Sequence, residues 1–213
     1  MKLLSEDIDR YASAFSSPEP GVLARLGRDT QAKVLRARML SGHMQGRMLA
    51  LFSRMIRPKR ILEIGTYTGY SALCLAEGLD ADGMLHTIDR NAELEDFAAK
   101  YIREAGYEKV IKQHIGEALD VLPLLNETFD LIFIDADKEN YIKYFDIIYP
   151  QVRKGGIVIA DNALWSGKVL MPDEEMDEET RGIARFNEYI RNHKGVQQLL
   201  LPFRDGLMLI EKL

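Results

Sequence analysis

From Arg60 onward, short apolar runs alternate with stretches in which apolar residues return every three or four positions. The runs "RILEIG", "MLHTID", "KVIKQHIG", "FDLIFID" and "GGIVIAD" are short, rich in β-branched residues and nearly unbroken, the pattern of strands covered on both faces. Between them, "YSALCLAEGL", "NAELEDFAAKYIREAG", "EALDVLPLL" and "KENYIKYFDIIYPQV" carry the helical period, and Gly106 ends the second of these helices. Strands that alternate with helices predict a parallel sheet clothed by helices. Two features break the alternation. Residues 1–57 read as wholly helical, and "VQQLLLPFRDGLMLIEKL" reads as two strands joined by a tight turn at Asp205-Gly206, which makes the last strand antiparallel to its neighbour. The expectation is a single α/β domain over residues 1–213. A helical cap (1–57) precedes a core (58–213) holding a seven-stranded, mostly parallel sheet that ends in an antiparallel hairpin.

Composition changes this picture little. At 213 residues the chain can bury a sizeable core, and 46% hydrophobic with 29% charged residues is ordinary for a water-soluble domain. No apolar run approaches the ~20 residues of a membrane span. The opening "MKLLSEDIDRYASAF" carries acids where a secretion signal needs an apolar core. Cys74 is the only cysteine. An internal disulfide is therefore impossible and a reducing cytoplasm is the expected location; its helical spacing in "SALCLAEGL" marks it as core. The formal charge is −5, unevenly spread: Gly21 to Arg60 holds ten Lys and Arg against one acid, Asp29. That stretch reads either as the solvated faces of two helices or as a surface for an anionic substrate or partner.

Chemistry gathers where the strands end, which is where ligands sit in open α/β sheets. The first strand runs into "EIGTYTGYS". Gly65 permits a tight turn and Gly69 a close backbone approach, but Tyr67 stands where a dinucleotide fingerprint needs glycine, and no phosphate-binding Lys follows. Asp89, twenty-four positions after Gly65, ends the second strand and can accept hydrogen bonds from two ribose hydroxyls. A nucleoside without a phosphate bridge fits, and S-adenosylmethionine fits best. Ser71 can meet the amino-acid tail carboxylate near a helix start. Glu63, an acid inside an apolar strand, needs a cationic or donor partner, which the tail ammonium would supply.

Two further strands run out into acids: "LIFIDADKENY" delivers Asp135, Asp137 and Lys138, and "GGIVIADNALW" delivers Asp161 and Asn162. Singly, either acid reads equally well as a helix cap; together, with a lysine at one and an amide at the other, they read as a site. "EIGTYTGYS", "IDADKENY" and "DNALWSGKV", in that order, resemble the cation-dependent S-adenosylmethionine O-methyltransferases of the caffeoyl-CoA and catechol type, a likeness that runs from about Met39 to the C-terminus. The resemblance implies a Rossmann-like class I methyltransferase fold and a homodimer. It implies Asp135, Asp161 and Asn162 as ligands of a divalent cation, Lys138 as the catalytic base, and Asp89 as the ribose-binding acid. Ser41, Glu63, Gly65, Ser71, Ala118 and Asp135 are implied as further cofactor contacts, although the family often carries Thr where Ser41 stands. Two carboxylates and an amide oxygen are hard donors that suit Mg²⁺, with Mn²⁺ or Ca²⁺ as alternatives. A dication and partial desolvation would both lower the pKa of Lys138 from its ordinary ~10.4.

The expected activity is methyl transfer to one hydroxyl of a catechol-like small molecule, CoA-linked or free. A hydroxylated uridine of transfer RNA is a second acceptor class, kept open by the basic stretch, and a non-catalytic cofactor-binding module is a third reading. Asp137 is open to three roles: helix cap, support for a ligand, or cation contact. Trp165, the only tryptophan, is either core or a wall for an aromatic substrate, and His43 reads as a surface or capping residue. None of the four histidines has zinc-ligand spacing. The six carboxylates of "DEEMDEETRGIARFNEYI" precede an apolar stripe (Ile183, Phe186, Ile190) and are expected to meet a helix dipole.

Overall fold

The structure, a computed structural model, describes residues 6–213; the first five residues of the stretch read as helical lie outside it. The chain divides into two compact units, one ending at Glu117 and one running from Ala118 to Leu213.

The first unit opens with three helices, α1 (Glu6–Ala14), α2 (Gly21–Lys33) and α3 (Gly42–Ile56), and continues through β1 (Arg60–Ile64), α4 (Tyr70–Ala76), β2 (Met84–Asp89), α5 (Glu95–Glu104) and β3 (Ile111–Ile115). The apolar runs of β1 and β2 are buried as their pattern requires, Ile61, Leu62 and Leu85 having no exposed surface, whereas β3, expected to be covered on both faces, buries Ile111 and leaves Ile115 exposed. β1 pairs in parallel with β2, Ile64 opposite Ile88, and β2 with β3, Asp89 opposite Ile115. Gly106, at φ 77°, closes α5, and the Tyr107 N–H returns to the Ile102 carbonyl. Four of the ten basic residues of the Gly21–Arg60 stretch pair with acids. Arg25 pairs with Glu104 at 3.0 Å and Lys33 with Asp29 at 3.0 Å, while Arg47 (2.5 Å) and Arg54 (2.6 Å) share Glu77.

The second unit contains α6 (Ala118–Val121), β4 (Phe129–Ile134), α7 (Tyr141–Ile148), β5 (Val152–Asp161), α8 (Glu178–Asn192), β6 (Val196–Leu201) and β7 (Leu207–Lys212). Tight 3-10 turns occupy Lys138–Asn140 and Trp165–Leu170. β4 and β5 are parallel, whereas β7 runs antiparallel to both β5 and β6. Seven strands, ordered β3-β2-β1 in the first unit and β4-β5-β7-β6 in the second, make the mixed, mostly parallel sheet expected from the pattern. α8 presents Ile183, Phe186 and Ile190 to the interior with no exposed surface. Its N-terminus is capped by the Asp177 carboxylate, which accepts the Thr180 N–H at 2.8 Å. Of the six acids before the stripe, Glu178 and Glu179 occupy the first turn; Asp173–Glu175 form a separate 3-10 turn. No helix among the described residues is long and apolar enough to cross a membrane.

The hairpin differs from the expected two-residue turn. Five residues, Pro202 to Gly206, join β6 to β7, and the positive φ angles fall at Arg204 (51°) and Gly206 (85°), not at Asp205. The cause lies outside the hairpin. The carbonyls of Asp205 and Gly206 accept the N–H groups of Leu164 (2.8 Å) and Ala163 (2.9 Å), so the connection is shaped by the segment that follows β5. A Cβ on Gly206 would meet the Leu164 backbone nitrogen at 2.7 Å.

Gly206→Ala combines that overlap with a left-handed backbone and should cost about 2–4 kcal/mol; thermal melting checks it, and an unchanged midpoint would contradict the close approach. Cys74 has no exposed surface, and burial pushes its thiol up to about 12. It should stay inert to thiol reagents at pH 8 in the folded protein and react once denaturant is added, as a colorimetric thiol titration would record.

Candidate active site

In the first unit, the chain leaving β1 makes a cramped turn. Gly65 (φ 107°), Tyr67 (47°) and Gly69 (86°) all take positive φ. The N–H groups of Gly65 and Thr66 donate to the Ile88 carbonyl at 2.9 and 3.2 Å, and that of Gly69 to Thr66 at 2.8 Å. Only a residue without Cβ strain adopts the two outer angles readily, which explains the glycines. Beneath the turn, Glu63 has no exposed surface and accepts the Thr87 hydroxyl at 2.5 Å; that hydroxyl also lies 2.5 Å from the Thr66 hydroxyl. The chain of oxygens ties β1, β2 and the turn together. The Thr68 hydroxyl is buried within the turn with no partner among the described residues.

Asp89 stands at the end of β2. Its Oδ2 accepts the Tyr67 N–H at 2.7 Å and its Oδ1 accepts the Asn91 N–H at 2.9 Å. The carboxylate is thus fixed in orientation with one lone pair on each oxygen to spare, the arrangement a vicinal diol needs. The Tyr67 hydroxyl donates back to the Leu35 carbonyl at 3.0 Å. Ser71 is buried in the first turn of α4. Ser41 is half-buried just before α3 and makes no capping bond. Glu63, Gly65 and Asp89 therefore gather at the ends of β1 and β2. Ala118 and Asp135 belong to the second unit, Ala118 as the first residue of α6.

In that unit the register decides the geometry. Ile134 of β4 stands opposite Ala160 of β5, so the residues that follow, Asp135 and Asp161, leave neighbouring strand ends together. Tyr141, with no exposed surface, sends its hydroxyl to both ends, donating toward the carbonyls of Ile134 and Asp161 at 3.3 Å each. The same oxygen accepts the Lys138 ammonium at 2.9 Å, and Lys138 also donates to Asp135 Oδ1 at 2.9 Å. Lys138 is 6% exposed, and its ammonium lies 5.7 Å from the centre of the Trp165 ring. Burial opposes the charge on this lysine, but the Asp135 carboxylate outweighs it and holds the ammonium well above the usual lysine range. Desolvation acts in the lowering direction expected from the sequence; without a dication beside it, Asp135 serves as the counter-ion and prevails.

Asp161 is buried and accepts the Asn162 N–H at 2.7 Å. Asn162 adopts φ 61°, a left-handed conformation that Asn tolerates. Its amide nitrogen donates to Asp205 Oδ2 at 3.3 Å. The indole N–H of Trp165 is buried without an acceptor among the described residues. Asp137 precedes the Lys138–Asn140 turn without a side-chain capping bond; its carboxylate accepts the Asn140 side-chain amide and, at 2.5 Å, the Tyr144 hydroxyl. Among the described residues no three His, Cys, Asp or Glu gather as a cation site. The expected donors are two carboxylates and an amide, a hard oxygen set that fits Mg²⁺ or Mn²⁺ in kind. His86 pairs with His114 at 2.9 Å, and His43 meets the Ser17 carbonyl at 2.7 Å.

Two residues of this cluster escaped the sequence reading. Tyr141 is the last letter of "IDADKENY" but carried no role there. Asp205 was read for its turn alone, and the signal that could have found it was an acid, rather than the more permissive Asn, beside Gly206.

A family model described as O-methyltransferase matches residues 13–213. A caffeoyl-CoA O-methyltransferase of Mesembryanthemum crystallinum is 35% identical over 206 residues, covering 92% of this chain and 81% of that one. A catechol O-methyltransferase of Niastella koreensis is 34% identical over 201 residues, covering 92% and 90%. Among solved structures, the O-methyltransferase TomG from Streptomyces achromogenes, in complex with SAM, superposes with a TM-score of 0.90 at 31% identity, over 98% of this chain and 99% of that one. With its strand-end acids, its glycine turn and these likenesses together, the chain belongs to the O-methyltransferase family, among the relatives of caffeoyl-CoA and catechol type.

Proposed function

We propose that the protein transfers the methyl group of S-adenosylmethionine to one hydroxyl of a catechol-like aromatic small molecule, free or CoA-linked, with a divalent cation held by Asp135, Asp161 and Asn162. The observation that carries this reading is the buried Lys138 ammonium, set between the Asp135 carboxylate and the Tyr141 hydroxyl beside two strand-end oxygen donors. In this reading the methyl donor lies on the glycine turn, its ribose on Asp89 and its tail near Ser71, Glu63 and Ser41, with Ala118 and Asp135 as further contacts. Each chain acts as one domain, working as a homodimer in the cytoplasm.

When bound, a hard cation favours the ionised form of the acceptor hydroxyl. The chain's own residues handle the proton. Lys138 accepts it at Nζ, having first released one ammonium proton to solvent. A dication held by Asp135 would draw on the same carboxylate and so weaken the pairing that keeps the ammonium charged. Tyr141 holds Nζ in place through the exchange. The acceptor oxygen then forms its bond to the methyl carbon as the carbon–sulfur bond breaks, leaving S-adenosylhomocysteine. This in-line displacement depends mainly on orientation. Trp165 offers a ring face and an unspent N–H to an oxygenated aromatic acceptor. Four basic side chains of the Gly21–Arg60 stretch are committed to acids, which favours a small acceptor over transfer RNA.

The direct test is labelled-methyl transfer to catechols, caffeoyl-CoA and unmodified or hydroxylated transfer RNA, each with and without chelator. Transfer to a catechol that chelator abolishes is the expected result; transfer confined to RNA would overturn the acceptor. Asp161→Ala should abolish turnover while S-adenosylhomocysteine still binds, measured by calorimetry, and retained turnover would remove the cation from the mechanism. Lys138→Ala should lower turnover at least ~100-fold. A mild loss recovered at higher pH would mean that acceptor ionisation needs no base from the protein.

A further inference from the structure

We infer that Asp205 is a positioning residue that aims the oxygen of Asn162 and fixes the segment leading to Trp165. The inference rests on the cation reading above.

An amide is two-sided: one end donates and the other accepts. A carboxylate can pair only with the donating end. Asp205 Oδ2 accepts Asn162 Nδ2 at 3.3 Å, which directs Asn162 Oδ1 away from the hairpin and leaves it as the available donor to a cation. Free rotation about the last bond of Asn162 would present NH₂ as readily as oxygen, and NH₂ cannot ligate a hard ion. The second carboxylate oxygen of Asp205 is also committed, accepting the backbone N–H of Ser166. Both oxygens are therefore engaged with the loop, so Asp205 is an aligner of the donor set and not a member of it.

The backbone around it explains why such a clamp is needed. Asn162 (φ 61°), Trp165 (45°), Ser166 (55°) and Gly167 (81°) all sit in the left-handed region, a costly run for side-chain-bearing residues. Four contacts from Asp205 and Gly206 hold it: the two side-chain bonds and the carbonyl bonds to Ala163 and Leu164. On the opposite side, the Asn187 amide of α8 donates to the Ala163 carbonyl at 2.7 Å. Partners that orient metal ligands are commonly worth 10–100-fold in affinity.

The test titrates Mn²⁺ into the full chain, reading quenching of Trp165, the only tryptophan, with calorimetry as a second measure. Asp205→Ala should weaken Mn²⁺ binding about tenfold while S-adenosylhomocysteine affinity stays within twofold. Asp205→Asn keeps one acceptor for the Asn162 amide and should lose less; it carries the same comparison should the alanine variant fail to fold. In a double-mutant cycle with Asn162→Ala, the two losses should not add, because Asp205 acts through that side chain. Mn²⁺ affinity unchanged in folded Asp205 variants, or losses that add fully, would overturn the inference while leaving the cation site standing. A wild-type chain that binds no Mn²⁺ would instead bring down the site and the inference together.

Discussion

Everything proposed for the second unit depends on the register of β4 against β5. Because Ile134 faces Ala160, the next residue on each strand's course is an acid, Asp135 just past β4 and Asp161 as the last residue of β5. A slip of one residue would turn one of them away from its neighbour. Leu131 to Ile134 are wholly buried, and Ile159 and Ala160 likewise. The Tyr141 hydroxyl then seals the two ends together, reaching a carbonyl on each strand from a position without solvent. Two carboxylates converging at one edge would repel each other in a poor dielectric. The Lys138 ammonium, bonded to one of them, is the intrinsic answer to that repulsion.

The first unit solves a different problem with similar economy. A cramped loop of three positive φ angles is held by backbone bonds to Ile88, while Asp89 spends one lone pair of each oxygen on that scaffold and keeps the others. Orientation is fixed before any ligand arrives, which reduces the ordering that binding must impose.

Much of this was legible in the chain itself. Periodicity located every strand, and "MLHTID" matched β2 (Met84–Asp89) end to end, because strands buried on both faces leave an unambiguous apolar signature. Strand-end acids could be found the same way, since a charge that follows an apolar run stands out. What sequence could not reveal were contacts set by tertiary geometry. Asp205 lies 43 residues from Asn162, and the acid beside Gly206 does not by itself say which loop its carboxylate serves. The counter-ion of Lys138 was hidden for a related reason: desolvation can be guessed from an apolar neighbourhood, but the 2.9 Å pairing with Asp135 cannot. The ion pairs of the basic stretch were hidden because two of its acidic partners, Glu77 just past α4 and Glu104 in α5, lie further along the chain.

The left-handed backbone at Asn162 has an implication for how the chain can vary. Few side chains accept that conformation without strain, and asparagine and aspartate are among them. Of these two, only asparagine contributes a neutral oxygen together with an N–H that an adjacent acid can grasp. Shape and chemistry thus narrow the alphabet at this position independently: most substitutions would strain the backbone, and aspartate, which the backbone tolerates, would lose the N–H that Asp205 grasps.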